Sequence, residues 1–393
     1  MLKKIKLMEH TFFDENKTKK KLINFISSAN KLSMNKKVSE FEIKFSKIIN
    51  HKYTTMVNSG SSANLTLIQS LRNLGLLKIN DNVAVSSITW STTVMPLIQL
   101  NLNPIPVDIN LKTFNCSSSN LLEVLKKHKL KAFFITNAMG FCDDINEIKK
   151  ICKKRNIILI EDNCESLGSE YKNKKLGSFG LASTHSFFVG HHISSIEGGT
   201  ISTSSKELSN MIKLVRAHGW TRNLDKITKK NYCQKFKIKK FYEPYTFYDL
   251  AYNVRPTDIN GFLALNQIKF LKKITKKRER NFFKMYNSYK KNNDFIAYEI
   301  KNMNVLSNFA FPIICKNKIV LNKYVKKFKE LNIEIRPFIS GNIARQPFFK
   351  KYIKRKFNLP NADIIHDYCF YCPNHNDLSN KDIDRIISAM KVW

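Results

Sequence analysis

Between about residues 53 and 204, short apolar runs alternate with stretches of helical spacing. DNVAVSS, NPIPVDI, KAFFITN, NIILIED and GGTISTS are each bounded by polar or turn residues, the pattern of buried strands. Between them, ANLTLIQSLRNLG and NEIKKICKKRN repeat their apolar residues at helical intervals. Strands alternating with helices predict an α/β fold with a mostly parallel, covered sheet. Such sheets take ligands at the carboxyl ends of their strands. Residues 211–250 mix charge and aromatics and carry no clear period. After Pro256, TDINGFLALNQIKFLKKITKKRERNFFKMYNSYKKN predicts one long amphipathic helix. Beyond it NFAFPIICK and NIEIRPFIS are strand candidates. NHNDLSNKDIDRIISAM predicts a last helix with a serine before its acidic first turn. The expected division is a large domain over residues 1–255, then a bridging helix and smaller α/β domain over residues 256–393.

Composition changes this picture little. The 393 residues are 43% hydrophobic and 25% charged, ordinary for a globular chain. A formal net charge of +36 raises the question of a phosphate-rich partner. Only 11 of the 67 basic residues are Arg, and the Lys lie in scattered pairs such as Lys36-Lys37 and Lys239-Lys240. With no RNA- or DNA-binding motif, nucleic acid is not the expected partner, although a nucleotide-linked substrate would benefit from the field. Of eight Cys, only Cys369 and Cys372 form a CxxC pair, and nothing completes a metal site. No run approaches the length of a membrane span, so the expected location is the cytoplasm.

Four segments carry candidate chemistry. NSGSSAN, residues 58–64, puts small residues at a helix start, which suits an anion; plain capping is the simpler reading. EDNCESLG, residues 161–168, places acids at a strand end, where a solvated loop would look the same. Trp90 follows another strand and could stack on a flat ring or fill a core. His191 and His192 adjoin Gly190 and precede Glu197, Gly198 and Gly199. Imidazole can move protons near neutral pH.

Together NSGSSAN, TWSTT, EDNCESLG, SFFVGHH, IEGG, AHGW, YNVRPTDIN and PNHNDLS resemble, in order and over nearly the whole chain, the DegT/StrS-type family of nucleotide-sugar aminotransferases. That family has the aspartate-aminotransferase fold (fold type I) and uses pyridoxal 5'-phosphate and pyridoxamine 5'-phosphate. Most members hold the cofactor covalently through a lysine where His191 stands here, and imidazole has no primary amine. The resemblance is strongest to a branch of 3-dehydratases that carry histidine at that place. It implies loss of the C3 hydroxyl from a nucleotide-linked 4-keto-6-deoxy sugar, with GDP-4-keto-6-deoxy-D-mannose leading, glutamate as amino donor and ammonia released. An ordinary sugar aminotransferase and an inactive cofactor-binding homologue are the alternatives.

Carried over by motif, the resemblance makes His191 the catalytic base. Gly60, Ser61 and Ser186 would bind the cofactor phosphate. Trp90 would stack on the pyridine ring, and Asp162 would pair with its nitrogen. Glu165 takes the place where many members have glutamine, near the phenolic oxygen. Asn253 would reach the phosphate of a neighbouring subunit's cofactor, which implies a homodimer with shared sites. Arg255, His218, Arg222 and Arg336 are substrate-side candidates. A related branch uses a [2Fe–2S] cluster held by four Cys, three close together. Cys233 has no such neighbours, so no cluster is expected.

Overall fold

A computed structural model describes residues 2–392. Its main sheet contains β1 (Tyr53–Val57), β2 (Asn82–Ser86), β3 (Asn103–Val107), β4 (Ala132–Thr136), β5 (Ile158–Asp162), β8 (Ala182–Ser186) and β9 (Gly199–Thr203). Two short strands between β5 and β8, β6 (Glu170–Tyr171) and β7 (Lys174–Lys175), form a small separate sheet with β10 (Met303–Val305). The main sheet runs in the order β1-β9-β8-β5-β4-β2-β3. The pairs β2–β3, β2–β4, β4–β5 and β5–β8 are parallel, whereas β9 is antiparallel to both β8 and β1.

Residue alternation along the strands divides the core. Val83, Val85, Phe134 and Ile160 join one buried cluster, and Ala84, Phe133, Ile135 and Leu159 join another on the opposite face. The five predicted strand segments all contain strands of this sheet. Two further strands, β1 and β8, were not among them. In β8 (Ala-Ser-Thr-His-Ser) only Ala182 is apolar, yet all five residues are buried, so hydropathy gives it no signal.

The long helix expected after Pro256 is two helices, Asp258–Ile268 and Leu271–Tyr289. The chain turns where buried Gln267 bonds Phe13 N–H at 2.8 Å and where Phe270 packs on the Phe13 ring at 4.7 Å. Beyond it, a third sheet has the order β11-β13-β12, with β11 Ala310–Ile314, β12 Arg336–Pro337 and β13 Cys369–Pro373. NFAFPIICK supplies β11, but NIEIRPFIS contributes only the two residues of β12; the central strand β13, which holds the CxxC pair, is not among the expected strands. The last helix, Asn380–Met390, begins with a capping box between Ser379 and Asp382. Near the other end of the chain, Ile5 bridges Ile333 and brings residues 6–8 towards the main sheet.

Candidate active site

A cavity of about 470 Å³ opens at the carboxyl ends of β5 and β8. Gly60, Ser61, Trp90, Asp162, Glu165, Ser186, His191 and Arg336 all line it.

The helix Gly60–Asn73 follows β1 and points its first turn at the cavity. Ser59 Oγ accepts from Ser62 N–H at 3.0 Å, and the N–H groups of Gly60 and Ser61 precede the first intrahelical acceptor. Ser186, at the end of β8, lies against this turn: a Cβ built on Gly60 would stand 2.6 Å from Ser186 Cβ. Gly199 is equally constrained, since a Cβ there would be 2.3 Å from Ser59 O. Two glycines and a serine thus bring bare N–H groups and a hydroxyl together at a helix N-terminus, the chemistry of a phosphate cradle.

Asp162 ends β5. Its Oδ2 accepts from Asn64 Nδ2 at 2.9 Å and Thr93 Oγ1 at 2.7 Å, and its Oδ1 accepts from Cys164 N–H at 3.1 Å. Thr184 Oγ1 donates to Asn64 Oδ1 at 2.6 Å and fixes the amide's orientation. Among the described residues the donors that hold this side chain are thereby all neutral. Trp90 is not a core residue: it caps the helix Ser91–Gln99 and is 54% exposed at the cavity wall.

Glu165 is buried and accepts Met139 N–H at 2.8 Å on Oε2. Burial chiefly, with the Asp162 charge adding to it, raises its carboxyl to about 8 against the Met139 hydrogen bond. The group is therefore a neutral acid at pH 7 and can donate, as a glutamine amide does.

The chain between β8 and β9 carries the histidines. Phe187 is pinned edge-on between Phe41 and Phe45, with ring centres at 5.2 and 5.4 Å, so its neighbours Ser186 and Phe188 face the cavity. His191 follows and makes edge contacts with Phe188 and Phe309, each at 6.0 Å. Its Nδ1 is buried, which leaves Nε2 to exchange protons with the cavity. Burial chiefly, with the Arg278 charge adding to it, lowers the imidazole to about 4 against the raising effects of Asp162 and of the Ser186 backbone. An unperturbed value near 6.5 is therefore replaced by that of a ring that is free base at pH 7. His192 turns away, and its Nε2 lies 2.7 Å from Ser307 O in the interior.

The four other candidates do not line this cavity. Arg222 and Arg255 pack on Trp220, 3.9 and 5.4 Å from the ring centre, and His218 lies 4.7 Å from it. Asn253 Oδ1 accepts from Arg255 Nε at 2.9 Å. Arg336, inside the cavity, pairs with Glu334 at 3.1 Å.

Sequence reasoning missed Asn64 and Thr93, although both lie inside flagged segments. It also missed Lys6, an exposed amine at the cavity rim, for which no local pattern gave a signal. Among the described residues, no group of three or more His, Cys, Asp or Glu could hold a metal ion, and no helix is long and apolar enough to cross a membrane.

A PLP-type fold I architecture, a helix-start cradle and an aspartate at a strand end agree with a family match over residues 14–391: the chain belongs to the DegT/DnrJ/EryC1/StrS aminotransferase family. Within it, the chain is 33% identical over 376 residues to GDP-4-keto-6-deoxy-D-mannose 3-dehydratase of Escherichia coli O55:H7, covering 94% of this chain and 96% of that one. The Yersinia pseudotuberculosis enzyme of the same name is 32% identical over 378 residues, covering 94% of each chain. A solved structure of the E. coli enzyme with bound hydrated PLP superposes with a TM-score of 0.90 at 31% identity, covering 100% of both chains.

Proposed function

We propose that this chain is a PLP/PMP-dependent 3-dehydratase acting on a nucleotide-linked 4-keto-6-deoxy sugar, with GDP-4-keto-6-deoxy-D-mannose as substrate and glutamate as amino donor. The observation that carries this reading is His191: the cavity wall presents an imidazole where most of the family has a lysine. The cavity chemistry fits the cofactor. Gly60 and Ser61 N–H with Ser186 Oγ would receive its phosphate, Trp90 would cover one face of its ring, Asp162 would meet its nitrogen and Glu165 its phenolic oxygen. When bound, the cofactor supplies an electron sink that allows the C3–oxygen bond of the sugar to break.

The protein's own groups supply protons and position. His191 Nε2, free base at neutral pH, would serve as the base that accepts a proton from the C4′ carbon of the bound cofactor. Asp162 stabilises the imidazolium through space. The same nitrogen, now an acid made strong by burial, returns the proton to the departing C3 hydroxyl. Asn64 and Thr93 hold Asp162 still, and neutral Glu165 donates without adding a second negative charge.

Asn253, Arg255, Arg222 and His218 form a separate cluster around Trp220. We assign it to the site of a second subunit in a homodimer, with Asn253 towards the phosphate and the arginines towards the nucleotide. The proposed domain division falls near residue 255, and the proposed location is the cytoplasm.

The deciding experiment is mass spectrometry of the sugar after incubation with pyridoxal phosphate, glutamate and GDP-4-keto-6-deoxy-D-mannose. A sugar that has lost oxygen, with ammonia released, is expected. A sugar that has gained an amine would overturn the proposal. His191→Lys should abolish dehydration and retain cofactor covalently after borohydride treatment. Full dehydration by that variant would remove His191 from the mechanism.

A further inference from the structure

Arg278, on the helix Leu271–Tyr289, is 4% exposed, and the acid that acts on it, Asp377, does so through space rather than by a hydrogen bond. Its guanidinium is spent on carbonyls. Nη1 donates to Phe309 O and Asn374 O, both at 2.8 Å, and to Asn308 O at 3.3 Å; Nη2 donates to His191 O at 3.3 Å. These carbonyls come from three segments: the histidine loop, the approach to β11 and the exit from β13. Phe309 is also the residue whose ring meets the His191 edge. One side chain therefore fixes the backbone of the imidazole and that of its packing partner.

We propose that Arg278 is the positioning residue for His191, locking its loop onto the β11–β13 sheet and setting a fixed positive charge beside the imidazole. This rests on the reading of His191 as the base. A buried cation whose nearest acid, Asp377, acts on it only through space is costly, and a lysine could not donate to all four carbonyls with one ammonium. The other charged or titratable groups about the ring and its arginine are Asp162 at the end of β5, Glu165 and Glu197 in the cavity wall, His192 beside it, and His375 and Asp377 beyond β13. Of these, His192 is held neutral by burial and Glu165 is protonated at pH 7. Asp162 and Arg278 therefore oppose one another across His191.

The test is an NMR titration of the His191 imidazole in the full chain at fixed cofactor content, with the signal assigned through His191→Asn. In the wild-type chain it should titrate well below 6.5; titration at the ordinary value would overturn the charge role without any variant. Arg278→Gln should raise the midpoint by roughly half a pH unit or more, and Arg278→Lys should leave it near wild type. Both should lower kcat for dehydration at least tenfold with little change in KM, because the ring is displaced. A midpoint unmoved in the Gln variant, or moved equally in both, would show that the arginine is only a structural tie. Wild-type kcat in the Lys variant would show that the four-carbonyl lock does not position the base. Since the titration does not depend on turnover, it can stand when the sugar assignment fails; a dehydratase with no midpoint change would leave the assignment intact and reduce Arg278 to a structural tie.

Discussion

Glu165→Gln should make the protein's stability less sensitive to pH. The amide keeps the Met139 N–H bond through its carbonyl oxygen and presents a donor where the protonated acid has its O–H. It cannot ionise. In the wild-type chain the carboxyl rises from an ordinary 4.5 to about 8 on folding, chiefly through burial. A raised folded value means the folded state holds the proton more tightly. The associated stability is fully present below 4.5 and is lost as pH rises towards 8. Between pH 5 and 7 the linkage relation gives a loss of about 2.5 kcal/mol for this one group, an order-of-magnitude figure. Urea unfolding of cofactor-free protein at pH 5, 6 and 7 would measure it, at one protein concentration. The wild-type unfolding free energy should fall relative to the variant's by about that amount. Parallel pH dependences would refute the reasoning and mean that Glu165 is ionised in its buried site.

Other substitutions test other parts of the structure. Glu161 is fully buried and accepts N–H bonds from Gly177, Phe179 and Gly180 at 2.7–2.8 Å, so Glu161→Leu should cost about 3 kcal/mol or more, read as a lower urea midpoint. Gly60→Ala forces a Cβ to within 2.6 Å of Ser186 Cβ and should weaken pyridoxamine phosphate binding at least about tenfold by calorimetric titration. Co-expressed His191→Asn and Asn253→Ala chains should recover about a quarter of wild-type activity, since half the dimers are hybrids with one intact site. No recovery above the separate variants would place Asn253 outside a shared site.

The legible parts of the fold were those where one physical signal dominates. β4 is apolar throughout, apart from its last residue, and buried throughout, and Ser379 with Asp382 announced the last helix. β8 was hidden because its burial rests on small and polar side chains, with Thr184 bonded to Asn64. The break after Ile268 was hidden because its cause, the contacts of Gln267 and Phe270 with Phe13, spans roughly 250 residues of sequence. At the site, motif order brought eight of the twelve candidate residues to one cavity. What motifs could not supply was environment. The high Glu165 and low His191 values follow from enclosure by distant segments, and Arg278 sits in the run KKRER, which reads as a solvated helix face.

The place of β1 in the sheet also sets a timetable. Among the described residues its sole strand partner is β9, with Tyr53 opposite Thr203 and Val57 opposite Gly199. On the ribosome, β1 emerges roughly 140 residues before that partner, an interval of about 7–30 s at usual elongation rates. During that time Met56 and Val57, both fully buried in the finished protein, have no strand to pair with. The nascent chain therefore passes through a period in which this edge is open to other chains, and the yield of folded protein should depend on how quickly synthesis reaches Thr203.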